Sequence, residues 1–346
     1  MRLSWPFASL LIGLVVASFA TGGCREGAGL EDHGRIVELR ELLPWGAREA
    51  DAGSEPDELV APSREPASPG ETKVVLLGTG TPEADPARSG PAVAVIAGKR
   101  AYVVDLGPGV VRRIAAARRA GLEELDLRRL TNAFVTHLHS DHTAGMADFM
   151  LSPWVLGRRW PLRIHGPPGI DSMVRHLRMA YRRDIAVRRR GPHAANDLGY
   201  RATGVVVAPG LVYRDRRVSV TAFPVRHGYW RYAYGYRFRA SDRTIVVSGD
   251  TGPTEAVVDA CKGCDVLVHE VYCKAGFERL AKRRQSYHLR SHTSTHELAE
   301  IASRARPKLL VLYHQLLWGC TEAQLMGEIR SLYDGPVAYG RDLDVY

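Results

Sequence analysis

Thr136-His137-Leu138-His139-Ser140-Asp141-His142 decides how this chain is read, because it places three imidazoles and a carboxylate within six residues. Ala133-Phe134-Val135-Thr136 just before it reads as a short strand, so the cluster lies on a strand end and the turn that follows. On such a turn, alternate residues can converge on one point. Imidazole and carboxylate together suit a divalent ion such as zinc, and a catalytic zinc keeps one position open for water. Three histidines so close together are poor core material, since burying them without partners is costly. The bland alternative is a solvated histidine-rich loop.

Four ligands on one loop cannot complete two metal sites, so further donors are sought at other strand ends. His227 follows Thr221-Ala222-Phe223-Pro224-Val225, and Asp250 follows Ile245-Val246-Val247-Ser248-Gly249. His314 follows Leu309-Leu310-Val311-Leu312-Tyr313. One lone histidine at a strand end is unremarkable. Three metal-competent side chains in that position, beside the first cluster, predict a common mouth. His165, His176 and His193 lie in the same interval as His227 and remain alternatives to it.

The surrounding pattern alternates. Strands are predicted at 74–78, 92–97 and 101–105, then a helix after Gly107-Pro108-Gly109 with Val110, Val111, Ile114 and Ala115 on its apolar face. A strand at 162–165 and a helix at 170–183 follow the histidine cluster. Further strands are predicted at 205–207, 218–223, 234–239, 244–248, 266–268, 309–313 and near Val337, with helices at 254–261, 294–304 and 322–333. Strands alternating with helices indicate a layered α/β domain.

His-x-His-x-Asp-His, as it stands from His137 to His142, resembles the signature of the metallo-β-lactamase superfamily. Gly78-Thr79-Gly80-Thr81-Pro82, Gly249-Asp250-Thr251, His269-Glu270, His292-Thr293-Ser294 and His314 resemble its ribonuclease Z and arylsulfatase-like branch, in the same order and over residues 73–346. The resemblance implies a four-layer αβ/βα sandwich with metals at the mouth between the sheets. It implies a first metal on His137, His139 and His227, a second on Asp141, His142 and His314, and Asp250 bridging them. Two zinc ions are expected, although manganese or iron accept the same ligands. Asp141 would also orient the attacking hydroxide. His292 would be the acid that protonates the leaving oxygen, or simply a histidine ahead of the helix caps Thr293 and Ser294. His269 and Glu270 would orient ligands from behind. Asp105 reads as structural, and His288 and His296 receive no role.

The implied reaction is metal-dependent hydrolysis of a phosphodiester or related small ester. Hydrolysis of a β-lactam or lactone shares the same site, and a non-catalytic metal-binding envelope protein is the alternative from another class. The chain also departs from the family pattern. The tRNA-gripping arm of ribonuclease Z is inserted between the third metal histidine and the bridging aspartate, but here residues 227 and 250 stand only 23 apart. The arm is therefore expected to be missing, and a small anionic ester replaces tRNA as the expected substrate. A homodimer stays open.

The N-terminus adds a location. Arg2, an apolar run at 10–19 and Ala20-Thr21-Gly22-Gly23-Cys24 have the layout of an export signal over residues 1–23. The cysteine after two glycines resembles a bacterial lipoprotein cleavage site, which would leave Cys24 lipidated; ordinary cleavage and an uncleaved anchor are the alternatives. Residues 24–71, rich in Gly, Pro, Ala and acids, read as a disordered tether with a short helix at 36–43, ahead of a hydrolase domain at 72–346. The expected setting is periplasmic or cell-envelope, with the chain membrane-anchored. Four cysteines remain, Cys261, Cys264, Cys273 and Cys320, and export permits disulfides whose pairing the sequence leaves open. Cys261-Lys262-Gly263-Cys264 has no second such pair to complete a zinc knuckle.

The net charge is +9, and only 6 of the 47 basic residues are lysine, so the excess is arginine, which suits bidentate anion binding. Arg158, Arg159, Arg182, Arg183, Arg188, Arg189 and Arg190 are candidates for an anion-binding rim, or for a solvated helix face. Trp154, Trp160, Tyr229 and Trp230 are candidates for pocket walls, or for core.

Overall fold

The computed structural model describes residues 72–191 and 195–346. The export segment, Cys24, the tether and His193 lie outside the described residues.

The strands form two sheets. In the first, β1 (Lys73–Gly78), β2 (Ala92–Ala97), β3 (Arg100–Val104), β4 (Asn132–Phe134), β5 (Leu162–Gly166) and β6 (Ala202–Val206) lie side by side in sequence order. The second does the same with β7 (Gly210–Arg214), β8 (Ser219–Pro224), β9 (Tyr234–Arg239), β10 (Thr244–Val247), β11 (Val266–Tyr272), β12 (Leu309–Leu316) and β13 (Val337–Tyr339). Each sheet begins antiparallel and turns parallel, from β3 onward in the first and from β10 onward in the second.

Parallel neighbours need crossovers, and helices supply most of them. The first sheet is crossed by α1 (Val110–Arg119), the single turn α2 (Ser140–Thr143), α3 (Met146–Val155), α4 (Ile170–Ala180) and α5 (Arg182–Arg190). The second is crossed by α6 (Glu255–Cys261), α7 (Lys274–Glu278), α8 (Lys282–Ser291), α9 (Thr295–Ala305) and α10 (Glu322–Arg330).

Side-chain alternation along the strands separates the layers. Val74, Leu76, Tyr102 and Phe134 face Tyr236, Phe238 and Val268 in a core between the sheets. Val75, Leu77 and Ile164 face outward onto Ile114, Phe149 and Trp154 of the helices. On the far side, Leu267 and Leu310 pack against Val257, Leu298 and Leu325. The result is the αβ/βα sandwich that the histidine signature implies.

Some elements differ from the expectation. The helix expected over 170–183 breaks at Tyr181 and resumes as α5, whose one buried residue is Ile185. A single apolar position carries no helical period. For the same reason α8 is not legible in sequence, since only Ser291 of its ten residues is buried. The cysteines resolve into two disulfides, Cys261–Cys264 and Cys273–Cys320.

Candidate metal centre

The centre forms where strands of both sheets end, the edge at which open α/β sheets place their ligands. Asp105 follows β3, His137 follows β4, His227 follows β8 and Asp250 follows β10. Two backbone devices make this convergence possible. Gly249 has φ +63°, and a Cβ there would stand 2.8 Å from the Cβ of Thr136, so glycine lets the exits of β10 and β4 meet. His314 has φ +45° and drops out of the β11–β12 ladder, in which Tyr313 pairs with Glu270 and Gln315 with Val271. That bulge turns the imidazole out of the sheet and into the site.

One group of donors comprises His137, His139, His227 and Asp250. His139 Nδ1 lies 2.9 Å from His137 Nε2 and 3.0 Å from His227 Nε2. Their far sides fix the tautomers. His227 Nδ1 donates to the carbonyl of Ser291 at 2.7 Å, so its Nε2 presents a lone pair. Thr136 Oγ1 donates to Asp105 at 2.9 Å and stands 3.0 Å from His137 Nδ1, which leaves His137 Nε2 as a lone pair too. Burial, then neighbouring imidazoles, hold His137 well below the usual histidine value. Burial likewise brings His139 and His227 down to about 4. All three rings are therefore neutral near pH 7, the state a metal requires.

The second group comprises Asp141, His142 and His314. His142 Nδ1 donates to Asp105 Oδ2 at 2.8 Å, which again leaves Nε2 facing the site. That Nε2 lies 3.3 Å from Asp250 Oδ1 and 3.5 Å from Asp141 Oδ2. Among the described residues, neither His142 Nε2 nor Asp250 Oδ1 has a hydrogen-bond partner although both are buried. Two acceptors held face to face need a cation between them, whether a proton or a metal. His314 Nε2 lies 3.3 Å from Asp141 and 3.5 Å from Asp250. Burial opposes charge on both rings, but Asp250 and Asp105 outweigh it at His142, and Asp250 and Asp141 at His314, so both rise above the usual value. Burial would also raise Asp250, yet the surrounding histidines hold it well below the ordinary carboxylate range. These donors fit a divalent metal.

His292 joins Asp250 and His314, its ring 5.9 Å from that of His314 and nearly parallel to it. The capping box of Ser294 and Glu297 at the start of α9 fixes this segment. Burial, then His314 and His142 against the pull of Asp250, brings His292 down to about 4.

The expected support from His269 and Glu270 runs through backbone groups. His269 Nδ1 donates to the Glu270 carbonyl, and Glu270 accepts from Thr251 N at 3.2 Å and Thr293 N at 2.9 Å. Glu270 Oε2 stands 3.4 Å from His292, so this carboxyl braces the turns after Asp250 and His292 rather than a ligand ring. Asp105 is the residue that sequence reasoning undervalued: it orients His142 directly and His137 through Thr136. Its signal was an acid ending an apolar strand, and its φ of +61° aims it inward.

Other expectations separate cleanly. His165 stacks on Phe134, and His176 is exposed on α4, so neither reaches the centre. Arg158 cannot line an anion rim. It is buried, with its guanidinium on the carbonyls of Met150 (2.6 Å), Gly199 (2.9 Å) and Phe149 (3.2 Å), and burial pulls it down to about 10. Trp154 is core. The arginines of α5 are exposed, with Arg188 on Asp184 and Arg189 on Asp197, as on a solvated helix face. Trp230 does reach the centre, its Nε1 donating to His139 Nε2 at 2.7 Å.

Residues 100–315 match the family model described as the β-lactamase superfamily domain. This chain belongs to that family. It is 35% identical to the ribonuclease Z of Mycobacterium sp. (strain KMS) over 250 residues, which covers 70% of this chain and 84% of the relative. It is 30% identical to the ribonuclease Z of Mycobacterium bovis (strain BCG / Pasteur 1173P2) over 284 residues, 78% and 96% of the two chains. In fold it is similar to the short form of human tRNase Z, with a TM-score of 0.60 at 21% identity over 79% of this chain and 98% of that one. The chain is a metal-dependent, ribonuclease Z-like hydrolase acting on phosphodiester bonds.

Proposed function

We propose that the centre holds two zinc ions and that the protein hydrolyses a small anionic phosphodiester outside the cytoplasm, tethered to a membrane through its N-terminus. The observation that carries the two-ion reading is the division of the donors into two groups that share Asp250. Bound there, the ions would supply an acidified water and offset negative charge gathering on the phosphoryl group. Asp141, the more exposed of the two central carboxylates, accepts a hydrogen bond from the attacking water and aims it. His292, held neutral near pH 7 by its burial, offers an N–H hydrogen bond to the departing oxygen. Asp105 keeps the protons of His142 and His137 on the side away from the metals.

Nucleic acid enters through the relatives' names, and a small substrate through the chain's own topology. Only β9, β10 and a turn occupy the interval between His227 and Asp250, which leaves no arm to grip a folded RNA. The disulfides Cys261–Cys264 and Cys273–Cys320 support an oxidising compartment, in keeping with an export signal.

The deciding experiment is metal content after purification, paired with turnover of bis-p-nitrophenyl phosphate. Two zinc ions per chain and chelator-sensitive turnover are expected. Full occupancy without turnover of phosphodiester, sulfate, lactone or β-lactam substrates overturns the enzymatic reading, and turnover of a β-lactam alone overturns the substrate class. Cell fractionation tests the tether: Cys24→Ala should release the chain from the membrane fraction, and retention there refutes lipidation.

A further inference from the structure

Tyr229, Trp230 and Tyr287 are exposed by 85%, 37% and 39% of their surfaces, although they stand at the rim of a buried metal centre. The Trp230 ring lies 5.1 Å from that of His139, and the Tyr287 ring 6.4 Å from that of His292. The two aromatics therefore flank the donors from the turn after β8 and from α8. That turn is clamped to the helix. Gly228 N donates to Arg290 O at 3.0 Å, and His227 Nδ1 to Ser291 O at 2.7 Å. Gly228 takes φ +54°, and a Cβ there would stand 2.5 Å from Ser291 Oγ and 3.9 Å from the Tyr287 ring. Only glycine lets the turn seat itself against this side chain.

On the two segments that carry the rings the charge has one sign, although Asp141 and Asp250 of the centre lie nearby. Residues 226–240 and 279–292 contain no aspartate or glutamate. Arg226, Arg231, Lys282, Arg283, Arg284 and Arg290 are all exposed, and none is ion-paired among the described residues. Solvent-facing aromatics interleaved with unpaired arginine are what a chain of bases and phosphates requires: each base has a π-face, and each phosphate a charge to neutralise.

We propose that Tyr229, Trp230 and Tyr287 form a stacking subsite for a nucleobase next to the scissile phosphate, so that the substrate is a nucleotide phosphodiester or a single-stranded oligonucleotide end. The proposal rests on the phosphodiesterase reading and gives its substrate a recognisable group.

Two esters with the same leaving group test it on the metal-loaded full chain: thymidine 5′-p-nitrophenyl phosphate and methyl p-nitrophenyl phosphate. The nucleoside ester should have a kcat/KM at least about tenfold higher, the size expected of one stacked base. Tyr229→Ala and Tyr287→Ala should each lower that ratio, while Tyr229→Phe and Tyr287→Phe retain it. A ratio near one in the native chain, or one unmoved by both alanine changes, overturns the subsite. If neither ester is turned over, the phosphodiesterase reading fails by itself, and fluorescence anisotropy of fluorescein-labelled hexathymidylate then judges the subsite. Weaker binding by the alanine variants supports it, and equal binding refutes it.

Discussion

The two donor groups of the centre share a residue type, yet their surroundings push its affinity for protons in opposite directions. His137, His139 and His227 are neutral, the last two pulled down to about 4, whereas His142 and His314 rise above the usual histidine value. The difference is distance to carboxylate. In the first group the nearest Asp250 oxygen is 4.0 Å from His137 and His227, and the rings face one another. In the second, His142 and His314 stand 2.8 to 3.5 Å from Asp105, Asp141 and Asp250. Burial alone would have neutralised all five. One half is thus a set of neutral rings open to a metal, and in the other a metal competes with more tightly held protons.

Asp250 belongs to both halves, so removing it should erase the distinction. Asp250→Asn is expected to lower metal content in both groups and to cut turnover by about 10³-fold, equivalent to the several kcal/mol that metal stabilisation of the transition state supplies. His227→Ala and His314→Ala should each empty one group only. Metal stoichiometry by mass spectrometry reads all three. An Asp250→Asn chain that still carries two ions would show that the halves are independent.

Asp105 sharpens the comparison at the next scale. Asp105→Asn should weaken metal binding by about 10- to 100-fold, the usual cost of losing the group that orients a ligand histidine. The second group should suffer more, because Asp105 holds His142 directly but reaches His137 only through Thr136. Competition with a graded chelator separates the two affinities. An equal loss at both would overturn the assignment.

The contrast also marks where sequence stops being informative. The cluster 137–142, Asp250 and His314 could be read as ligands because each ends an apolar strand, and a strand end limits where a side chain can point. His227 was favoured over His165 and His176 by its strand end and by the resemblance, and the fold separates them, since His165 stacks on Phe134 and His176 is exposed on α4. Asp105 sits in the same sequence context as the ligands, and only the three-dimensional contact with His142 separates orienting from binding. Glu270 shows a related limit: adjacency to His269 says nothing about which backbone amides its carboxyl meets. Alternation showed a layered α/β domain, and the resemblance carried by the histidine signature implied the sandwich, while α5 and α8 were not legible, because helices that bury almost nothing leave no apolar period.

Acid should drive the two halves apart. A raised folded value means that His142 and His314 hold a proton more tightly than an ordinary histidine, so acid competes with a metal there, and affinity should fall by up to about tenfold per pH unit for each proton displaced. His139 and His227 take up no proton until about pH 4, so the first group should stay nearly flat between pH 7 and 5. For the metal-free fold, raised values stabilise below the unfolded value of about 6.5, and that gain is lost as pH climbs through the folded value. Its Tm should therefore fall above pH 6.5, and metal should remove the trend. Calorimetric titration at several pH values, with and without zinc, reads both, and parallel pH slopes for the two ions would contradict the assignment.

The smallest effect concerns a single hydrogen bond at the edge of the first group. An indole N–H can only donate, so the 2.7 Å contact from Trp230 makes His139 Nε2 an acceptor. The neutral ring then carries its one proton on Nδ1, the atom that faces His137 and His227. A metal taken up at Nδ1 moves that proton to Nε2, where it confronts the indole N–H. Two donors cannot share that distance, so Trp230 must give up the contact as the metal enters. Zinc titration should therefore change tryptophan emission, and Trp230→Phe should abolish the change. The variant should also bind its first metal slightly more tightly, because loading no longer breaks a bond worth about 0.5–1.5 kcal/mol. An emission change that persists in Trp230→Phe would mean that the indole does not respond to the metal. His139 would then differ from its two partners less than the contact implies.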